Sequence, residues 1–248
     1  MAESSAIEWT SASWNPTTGC TKVSDGCTNC YAETLVRRWQ NIPGGYFSTG
    51  FDLTLRPKML DRPEQWRRPK FVFVNSMSDL FHRDVPEEYL DRVFERMETV
   101  DRHTYQLLTK RTERMRRYVR KRYGGGTVPA HIWLGTSVED NRVAWRADML
   151  REVAVPVRFL SVEPMIRPVD RVALDGITWV IAGGESGPHR RFMDPDWVRD
   201  LRNRCVAKRI RFFFKQWHKQ GTGRLLDGRT WDEVPDIGAG GKTLAPHI

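Results

Sequence analysis

Short apolar runs recur along the chain, and most are followed by a stretch whose apolar residues repeat with helical period. The runs are continuous rather than alternating, which is typical of strands buried on both faces of a parallel sheet. Six such runs lie at 71–75, 105–109, 132–135, 157–161, 179–182 and 211–214. Helices are predicted at 86–100, 111–122, 139–153 and 194–207. The pattern therefore predicts alternating strands and helices over most of the chain.

The alternation predicts an α/β fold. A first strand near 17–21 and a helix at 31–40 bring the count to about six or seven β–α units. Such units form a parallel sheet, either a partial or complete (β/α) TIM-like barrel or an open doubly wound sheet. We expect a barrel domain over residues 1–220 with an insertion at about 41–70, and an irregular Gly-rich tail over 221–248.

Polar residues gather where the predicted strands end. These segments are 75–79, 109–111, 136–137, 161–164, 183–187 and 215–216. Loops carry polar residues because they are solvated, but in parallel α/β folds the same edge of the sheet is where ligands bind. We therefore expect one site at one rim of the barrel.

Three of the four cysteines fall within eleven residues, at Cys20, Cys27 and Cys30. Clustered thiols in a cytosolic chain indicate metal ligands or redox groups rather than a structural disulfide. Three thiolates can hold three irons of a [4Fe-4S] cluster and leave the fourth iron open. Structural zinc needs a fourth ligand, and the first histidine after the cluster is His82. A disulfide between two of the three cysteines leaves the third thiol unexplained. Cys205 is predicted to be a small buried residue of a helix.

The residues around the cysteines resemble the cluster loop of radical S-adenosylmethionine (SAM) enzymes. The likeness is greatest to the branch related to spore photoproduct lyase, with N-P-x-x-G-C before the first cysteine and C-Y-A after the last. The matching positions are Asn15, Pro16, Gly19, Gly26, Tyr31 and Ala32. Two features depart from that pattern: the first spacing is C-x6-C instead of C-x3-C, and Asn29 stands where an aromatic residue is usual.

Over roughly residues 7–220 the chain also resembles the three-Cys-motif family of phage and bacterial proteins. Members of that family share SVEP and GGESG segments like those at 161–164 and 183–187. The two resemblances imply a [4Fe-4S] cluster on the three cysteines and SAM bound at its open iron. They further imply reductive cleavage of SAM, hydrogen abstraction from the substrate, and a flavodoxin- or ferredoxin-like protein as the reductant.

Several polar residues at the predicted rim are candidates for binding SAM or substrate. Asp79 could pair with the SAM amine, and Thr136 and Ser137 could meet its ribose. Glu163 and Glu185 are candidate acceptors, although each could instead pair with an arginine such as Arg167 or Arg190. The full candidate set is Asn75, Ser76, Ser78, Asp79, Thr136, Ser137, Glu163, Gly183, Gly184 and Glu185.

The charge balance favours a polyanionic partner. Forty Lys and Arg residues against 31 Asp and Glu residues leave a formal net charge of +9. Phosphate contacts by such residues release condensed counterions, which drives binding to DNA or RNA. The candidate residues lie in one predicted basic helix and are Arg111, Arg114, Arg116, Arg117, Arg120 and Lys121. A solvated positive face is the alternative.

The N-terminus lacks the features of a secretory signal, and no apolar run is long enough to span a membrane, so we expect a cytoplasmic protein. The resemblance, together with the positive charge, implies a radical SAM-like enzyme that modifies or repairs a base or nucleotide of nucleic acid. One alternative is a non-catalytic nucleic-acid-binding protein, stabilised by iron–sulfur or zinc, that acts with a separate partner enzyme. Another is a barrel hydrolase that uses Glu163 and Glu185 and has structural thiols.

Overall fold

The computed structural model describes residues 5, 7–186, 189–217 and 223–236. The strands and helices in chain order are β1 (Ala12–Trp14), β2 (Thr17–Thr18), α1 (Tyr31–Arg37), β3 (Thr54–Leu55), α2 (Arg62–Gln65), β4 (Phe71–Val74), α3 (Glu87–Thr99), β5 (Thr104–Thr109), α4 (Thr112–Tyr123), β6 (Ile132–Ser137), α5 (Trp145–Arg151), β7 (Arg158–Val162), β8 (Trp179–Gly183), α6 (Pro195–Ala207), β9 (Arg211–Gln216), β10 (Leu225–Leu226) and β11 (Arg229–Thr230). Short 3-10 turns lie at Asp25–Cys27, Pro57–Met59 and Asn141–Val143.

Seven of the strands form one curled parallel sheet, in the order β1-β4-β5-β6-β7-β8-β9. Each strand of this sheet is parallel to its neighbours, and the spatial order follows the order along the chain. A parallel sheet of this order curls toward a barrel with the helices outside. The predicted partial TIM-like barrel is therefore confirmed.

The two faces of the sheet carry different cores. Alternate strand residues on the outer face pack with the helices, including Leu90, Val93 and Phe94 of α3. The inner face is filled mainly by aromatic side chains: Trp9, Phe71, Phe73, Trp133, Val157, Phe159, Trp179, Ile181 and Phe213. Trp179 makes edge-on contacts with two other indoles, at centroid distances of 6.0 Å. This packing closes the floor of the partial barrel.

The predicted position of the first strand was wrong. The strand that joins the sheet is β1, where Ala12 and Trp14 are fully buried and Trp14 lies opposite Val74 of β4. Residues 17–18 form β2 instead, which pairs antiparallel with β3. Only three residues of β1 join the sheet, and Ser13 separates its two apolar residues, so no apolar run marks it.

The helix after β6 begins later than its periodicity predicts. The helix was expected over 139–153, but α5 starts at Trp145, and a 3-10 turn precedes it. Asp140 caps that turn, because its carboxylate accepts a hydrogen bond from the Arg142 backbone N–H at 2.8 Å. The residue before the cap, Glu139, thereby lies just beyond the end of the strand, where it contacts Ser24 and Arg146.

The described part of the C-terminal segment, residues 223–236, contains the antiparallel pair β10–β11 and then runs beside β9. The Phe214 N–H donates to the Trp231 carbonyl at 2.7 Å, and the Glu233 N–H donates to the Phe212 carbonyl at 3.3 Å. The rest of the predicted tail, at 221–222 and 237–248, lies outside the described residues. No helix among the described residues is long and apolar enough to span a membrane.

Candidate functional site

A cavity of about 620 Å³ opens at the carboxyl ends of the strands. The predicted site residues that line it are Cys20, Cys27, Cys30, Asn75, Ser76, Ser78, Asp79, Ser137, Glu163, Gly184 and Glu185. Thr136 does not line it: the side chain is buried and donates to the Thr109 carbonyl at 3.0 Å. Gly183 is also outside the lining and lies beneath Glu163. The fold thus brings most of the predicted residues to one cavity.

The three clustered cysteines are free, partly buried and share this cavity, whereas Cys205 is fully buried in α6. Burial raises the pKa of the Cys20 thiol to about 12, and the charges of Asp79, Cys27 and Cys30 add to the shift while Arg111 opposes it. The charges of Cys27 and Cys30 therefore both act on the Cys20 thiol.

No group of three or more His, Cys, Asp and Glu side chains within the described ranges is arranged to hold a metal ion. The donor set of three unpaired thiols beside one cavity nevertheless fits an iron–sulfur cluster chemically. Iron–sulfur clusters are bound by cysteine thiolates, and bound metal offsets the repulsion between the thiolates.

Of the N-P-x-x-G-C residues, Cys20 lines the cavity, whereas Asn15 and Gly19 lie outside its lining and hold neighbouring segments. The Asn15 side-chain oxygen accepts from the Met77 N–H at 2.9 Å and from the Ser76 hydroxyl at 3.3 Å. Gly19 has a φ of +78°, and a Cβ there would lie 2.1 Å from the Asp52 carbonyl oxygen. Only glycine fits that position. Asn15 and Gly19 therefore have structural reasons for being where they are, apart from any ligand.

The loop after β4 is held by its own polar residues. The Asn75 amide donates to the Thr17 hydroxyl at 2.6 Å, and the Ser78 hydroxyl donates to the Gly19 carbonyl at 2.5 Å. The Tyr31 phenol donates to the Ser76 carbonyl at 2.5 Å. These contacts join the loop to the cysteine segment and to the start of α1.

Asp79 fixes the same loop to the end of β5. One carboxylate oxygen accepts from the Thr109 hydroxyl at 2.7 Å and from the Phe81 N–H at 3.0 Å, and the other accepts from the Lys110 N–H at 3.0 Å. Three protein donors therefore already occupy the carboxylate that was expected to pair with the SAM amine. This geometry favours a positioning role for Asp79.

The cysteine loop rests on a buried ion pair that the sequence analysis did not identify. Glu139 accepts hydrogen bonds from the Ser24 hydroxyl and from Arg146, whose Nη1 lies 2.9 Å from its Oε2. A Cβ on Gly26 would come within 2.9 Å of the Glu139 carboxyl group, so the loop packs directly on it. Glu139 follows β6 by two residues, like the other polar residues that gather where the strands end. The sequence pattern instead predicts it as the first residue of the helix at 139–153.

Arginines from two other loops hold the far side of the cysteine loop. Arg142 binds Asp25 at 2.7 Å and Asp140 at 2.5 Å, and its hydrogen bond keeps the pKa of Asp25 below the usual value. Arg191 donates to the Asp25 carbonyl at 3.0 Å. On the β5 side, Arg111 donates to the Thr21 carbonyl at 3.1 Å. The additional length of the C-x6-C loop is thus tied to the rim.

Glu185 is a partner of the cysteine loop as well. Its carboxylate accepts from Arg191, with Nε at 3.1 Å and the backbone N–H at 2.7 Å, and from the Asn29 amide at 3.1 Å. Burial would raise the pKa of Glu185, but the hydrogen bonds from Arg191 and Asn29 outweigh it and the pKa lies below the usual value. The arginine partner is Arg191, not Arg190 as the sequence suggested.

Glu163 faces the cavity from the end of β7. The Lys215 ammonium of β9 lies 3.1 Å from one oxygen, and the Ser161 hydroxyl lies 3.4 Å from the other. Its partner is Lys215, whereas Arg167 lies 3.8 Å from Asp140. Gly184 packs against the end of β9, since a Cβ there would fall 1.6 Å from the Trp217 carbonyl oxygen.

The basic residues of α4 do not form one open cationic face. Arg116 and Arg120 share Glu152, at 2.5 and 3.6 Å, and Lys121 binds Glu87 at 2.5 Å. Arg114 donates to two backbone carbonyls, and Arg111 holds the cysteine loop. Of the six residues predicted to bind nucleic acid, Arg117 alone has no such contact within the described part of the chain. Their role in nucleic-acid binding stays a prediction.

The fold is similar to that of spore photoproduct lyase. Two point-mutant structures of that enzyme align at 12% identity with a TM-score of 0.51, over 81% and 80% of this chain and 75% and 74% of theirs. A spore photoproduct lyase complexed with dinucleoside spore photoproduct gives a TM-score of 0.46 at 15% identity, with 76% of this chain and only 58% of that chain covered. The protein therefore has the partial-barrel fold of spore photoproduct lyase.

The chain belongs to the family described as protein of unknown function (DUF5131), whose sequence profile matches residues 4–235. No curated protein sequence matches it. The expected relation to spore photoproduct lyase is confirmed at the level of the fold, and the relation in the cysteine motif stays a prediction.

Proposed function

We propose that the chain is a [4Fe-4S]-dependent radical SAM-type enzyme that acts on a base or nucleotide of nucleic acid. One observation carries the proposal: three free thiols face a single cavity at the carboxyl ends of the strands of a partial barrel. Cys20, Cys27 and Cys30 would hold the cluster. When bound, the cluster supplies one electron that breaks a carbon–sulfur bond of SAM, and a flavodoxin- or ferredoxin-like protein returns that electron.

The residues around the thiols have two kinds of role in this proposal. Asn75, Ser78 and Asp79 hold the wall of the cavity, because their polar atoms are engaged by protein groups. Glu163 and Lys215 also line the cavity and present a carboxylate beside an ammonium. Such a pair could meet the ammonium, carboxylate or hydroxyl groups of SAM, so in this proposal SAM would lie between the thiols and the ends of β7 and β9.

The aromatic inner face provides the floor of the site. Trp9 and Phe73 belong to that cluster and also line the cavity. Apolar walls exclude water and prevent side reactions of a reactive intermediate. The nucleic-acid part of the proposal is supported by the formal net charge of +9.

The test is anaerobic reconstitution with iron and sulfide, followed by measurement of bound iron, bound zinc and SAM cleavage products. Replacing any one of the three clustered cysteines with Ala should abolish the cluster and the cleavage. Cys205→Ala is the matched control and should retain both, because that thiol is buried in α6 away from the cavity.

Two outcomes contradict the proposal. Equal iron content in Cys27→Ala and the parent protein excludes the thiols as ligands. A stable cluster, or bound zinc, without any reductive cleavage of SAM would favour a metal-stabilised binding protein that acts with a separate enzyme.

A further inference from the structure

A second cavity, of about 470 Å³, lies beside the thiol cavity. The two cavities share Thr21, Val23 and Arg111, so the first turn of the cysteine loop forms the wall between them. The other residues that line the second cavity are Lys22, Phe81, Arg83, Thr112, Glu113, Arg114, Arg117 and Trp145. We call it the basic cavity, because five cations and one carboxylate surround it.

The cations of the basic cavity include two that the protein leaves available. The Arg83 side chain is 81% exposed, and its ion-pair partner, Asp84, is also exposed and 3.7 Å away. Arg117 is exposed and has no carboxylate within ion-pair distance in the described residues. By contrast, Arg116 and Arg120, which are not among the lining residues, share Glu152. Among the described residues, the α4 cation with neither an ion-pair nor a hydrogen-bond partner, Arg117, therefore lines the basic cavity.

Two apolar side chains that a folded protein would ordinarily cover are exposed at the same place. Trp145 is 43% exposed and Val23 is 45% exposed, and both line the basic cavity. The Arg146 guanidinium lies 5.7 Å from the centre of the Trp145 ring and helps to fix it. An exposed indole among cations is the combination that binds single-stranded nucleic acid, by base stacking together with phosphate contacts.

We propose that the basic cavity binds a single-stranded segment of nucleic acid, with a phosphate on Arg83 and Arg117 and a base on Trp145. This inference rests on the proposed function in one respect: the neighbouring nucleotide is the one that enters the thiol cavity. Enzymes that act on a base inside an enclosed site take it out of the stack, so an unpaired strand must approach the opening. The shared wall at Thr21 and Arg111 places the two binding positions next to each other.

The test compares two double variants that change the net charge equally. Arg83→Glu with Arg117→Glu reverses the cations of the basic cavity, and Arg116→Glu with Arg120→Glu reverses two on the same helix outside it. Binding of fluorescently labelled single-stranded DNA, single-stranded RNA and duplex DNA is measured by anisotropy across a salt series. We expect the first pair to lose about tenfold or more in affinity, and the magnitude of its salt slope to fall by about 0.7, the contribution of one single-strand phosphate contact.

A third variant tests the stacking. Trp145→Ala should weaken single-strand binding by about fivefold or more at every salt concentration, and Trp145→Phe should restore most of the affinity. The melting temperature of each variant is measured alongside, and the Phe variant keeps the test decisive if the Ala variant folds poorly.

Equal losses in both charge-reversed pairs, or tighter binding of duplex than of single strands by the parent, would overturn the inference. The DNA and RNA arms identify which strand the protein prefers. Because these assays need neither cluster nor turnover, a failure of SAM cleavage with intact strand binding would overturn the proposed function alone.

Discussion

Replacing Arg146 with Met removes one partner of an ion pair that lies almost completely out of water. The Glu139 and Arg146 side chains are 1% and 3% exposed, and Nη1 lies 2.9 Å from Oε2. The Ser24 hydroxyl also donates to Glu139, so the pair supports the cysteine loop. Methionine fills much of the volume of the arginine stem but leaves the carboxylate without its counter-charge.

The expected loss of stability in Arg146→Met follows from the burial of the ion pair. At an effective dielectric constant of about 20, two unit charges 2.9 Å apart attract by about 6 kcal/mol. Their desolvation offsets most of that attraction, but removing one partner leaves the other charge buried, which costs about 3–5 kcal/mol. For a chain of 248 residues, each kcal/mol changes the melting temperature by about 2–4 °C. We therefore expect Arg146→Met to melt about 6–20 °C below the parent.

The assay is urea unfolding together with thermal melting of the full chain. The matched control is Arg151→Met on the same helix, where Arg151 binds exposed Asp148 at 2.7 Å. Such a surface pair contributes about 0–1 kcal/mol. The double variant Glu139→Gln with Arg146→Met removes both charges and should recover most of the loss. If Arg146→Met falls within about 1 kcal/mol of Arg151→Met, the loop does not depend on this ion pair.

Two further predictions concern the same loop. Gly19→Ala should destabilise the protein by about 2–5 kcal/mol and lower its iron content, because the left-handed backbone and the overlap with a carbonyl oxygen both oppose a Cβ. The control is Gly124→Ala, where φ is +55° and nothing lies within 4 Å of an added Cβ. This variant should lose only about 1–2 kcal/mol of stability and keep its iron. Because the pKa of Glu185 is lowered by Arg191 and Asn29, its contribution to stability is present above the ordinary pKa of about 4.3 and is lost as the pH falls through the lower folded value. The melting temperature of Glu185→Gln should therefore lie below that of the parent at pH 7 and converge with it in acid, and a gap that does not change with pH would contradict the assignment.

The sequence allowed the sheet to be predicted because its strands are buried on both faces. Continuous apolar runs such as 71–75 mark strands well, but they conceal which residues point inward. Thr136 and Ser137 are adjacent candidates, and alternation places only one of them at the cavity. In a strand with two buried faces, composition does not reveal which of two adjacent residues points into the cavity. The orientation becomes visible only in the folded sheet, where Trp133 of the same strand faces the inner core and Ser137, four residues later, points to the same side.

The cavity itself could be predicted in part. Because parallel strands end at one edge of the sheet, the polar residues that follow them, together with the cysteine spacing, predict that the thiols, Asp79, Glu163 and Glu185 lie at one rim. The rule could not supply the partners of the charged residues, because Glu163 meets Lys215 from a strand two places along the sheet and Glu139 meets Arg146 across a turn. Such pairs depend on the angle between elements, which no local pattern encodes.

The segment that runs beside β9 has a consequence for how the protein behaves in concentrated solution. β9 is the last strand of the sheet, and its three consecutive phenylalanines would make an exposed edge prone to aggregation. Backbone hydrogen bonds from residues 231–233 cover that edge, and Trp231 is buried against it. A chain shortened before residue 223 would present the bare edge of β9 to other molecules, and such chains would join edge to edge into aggregates.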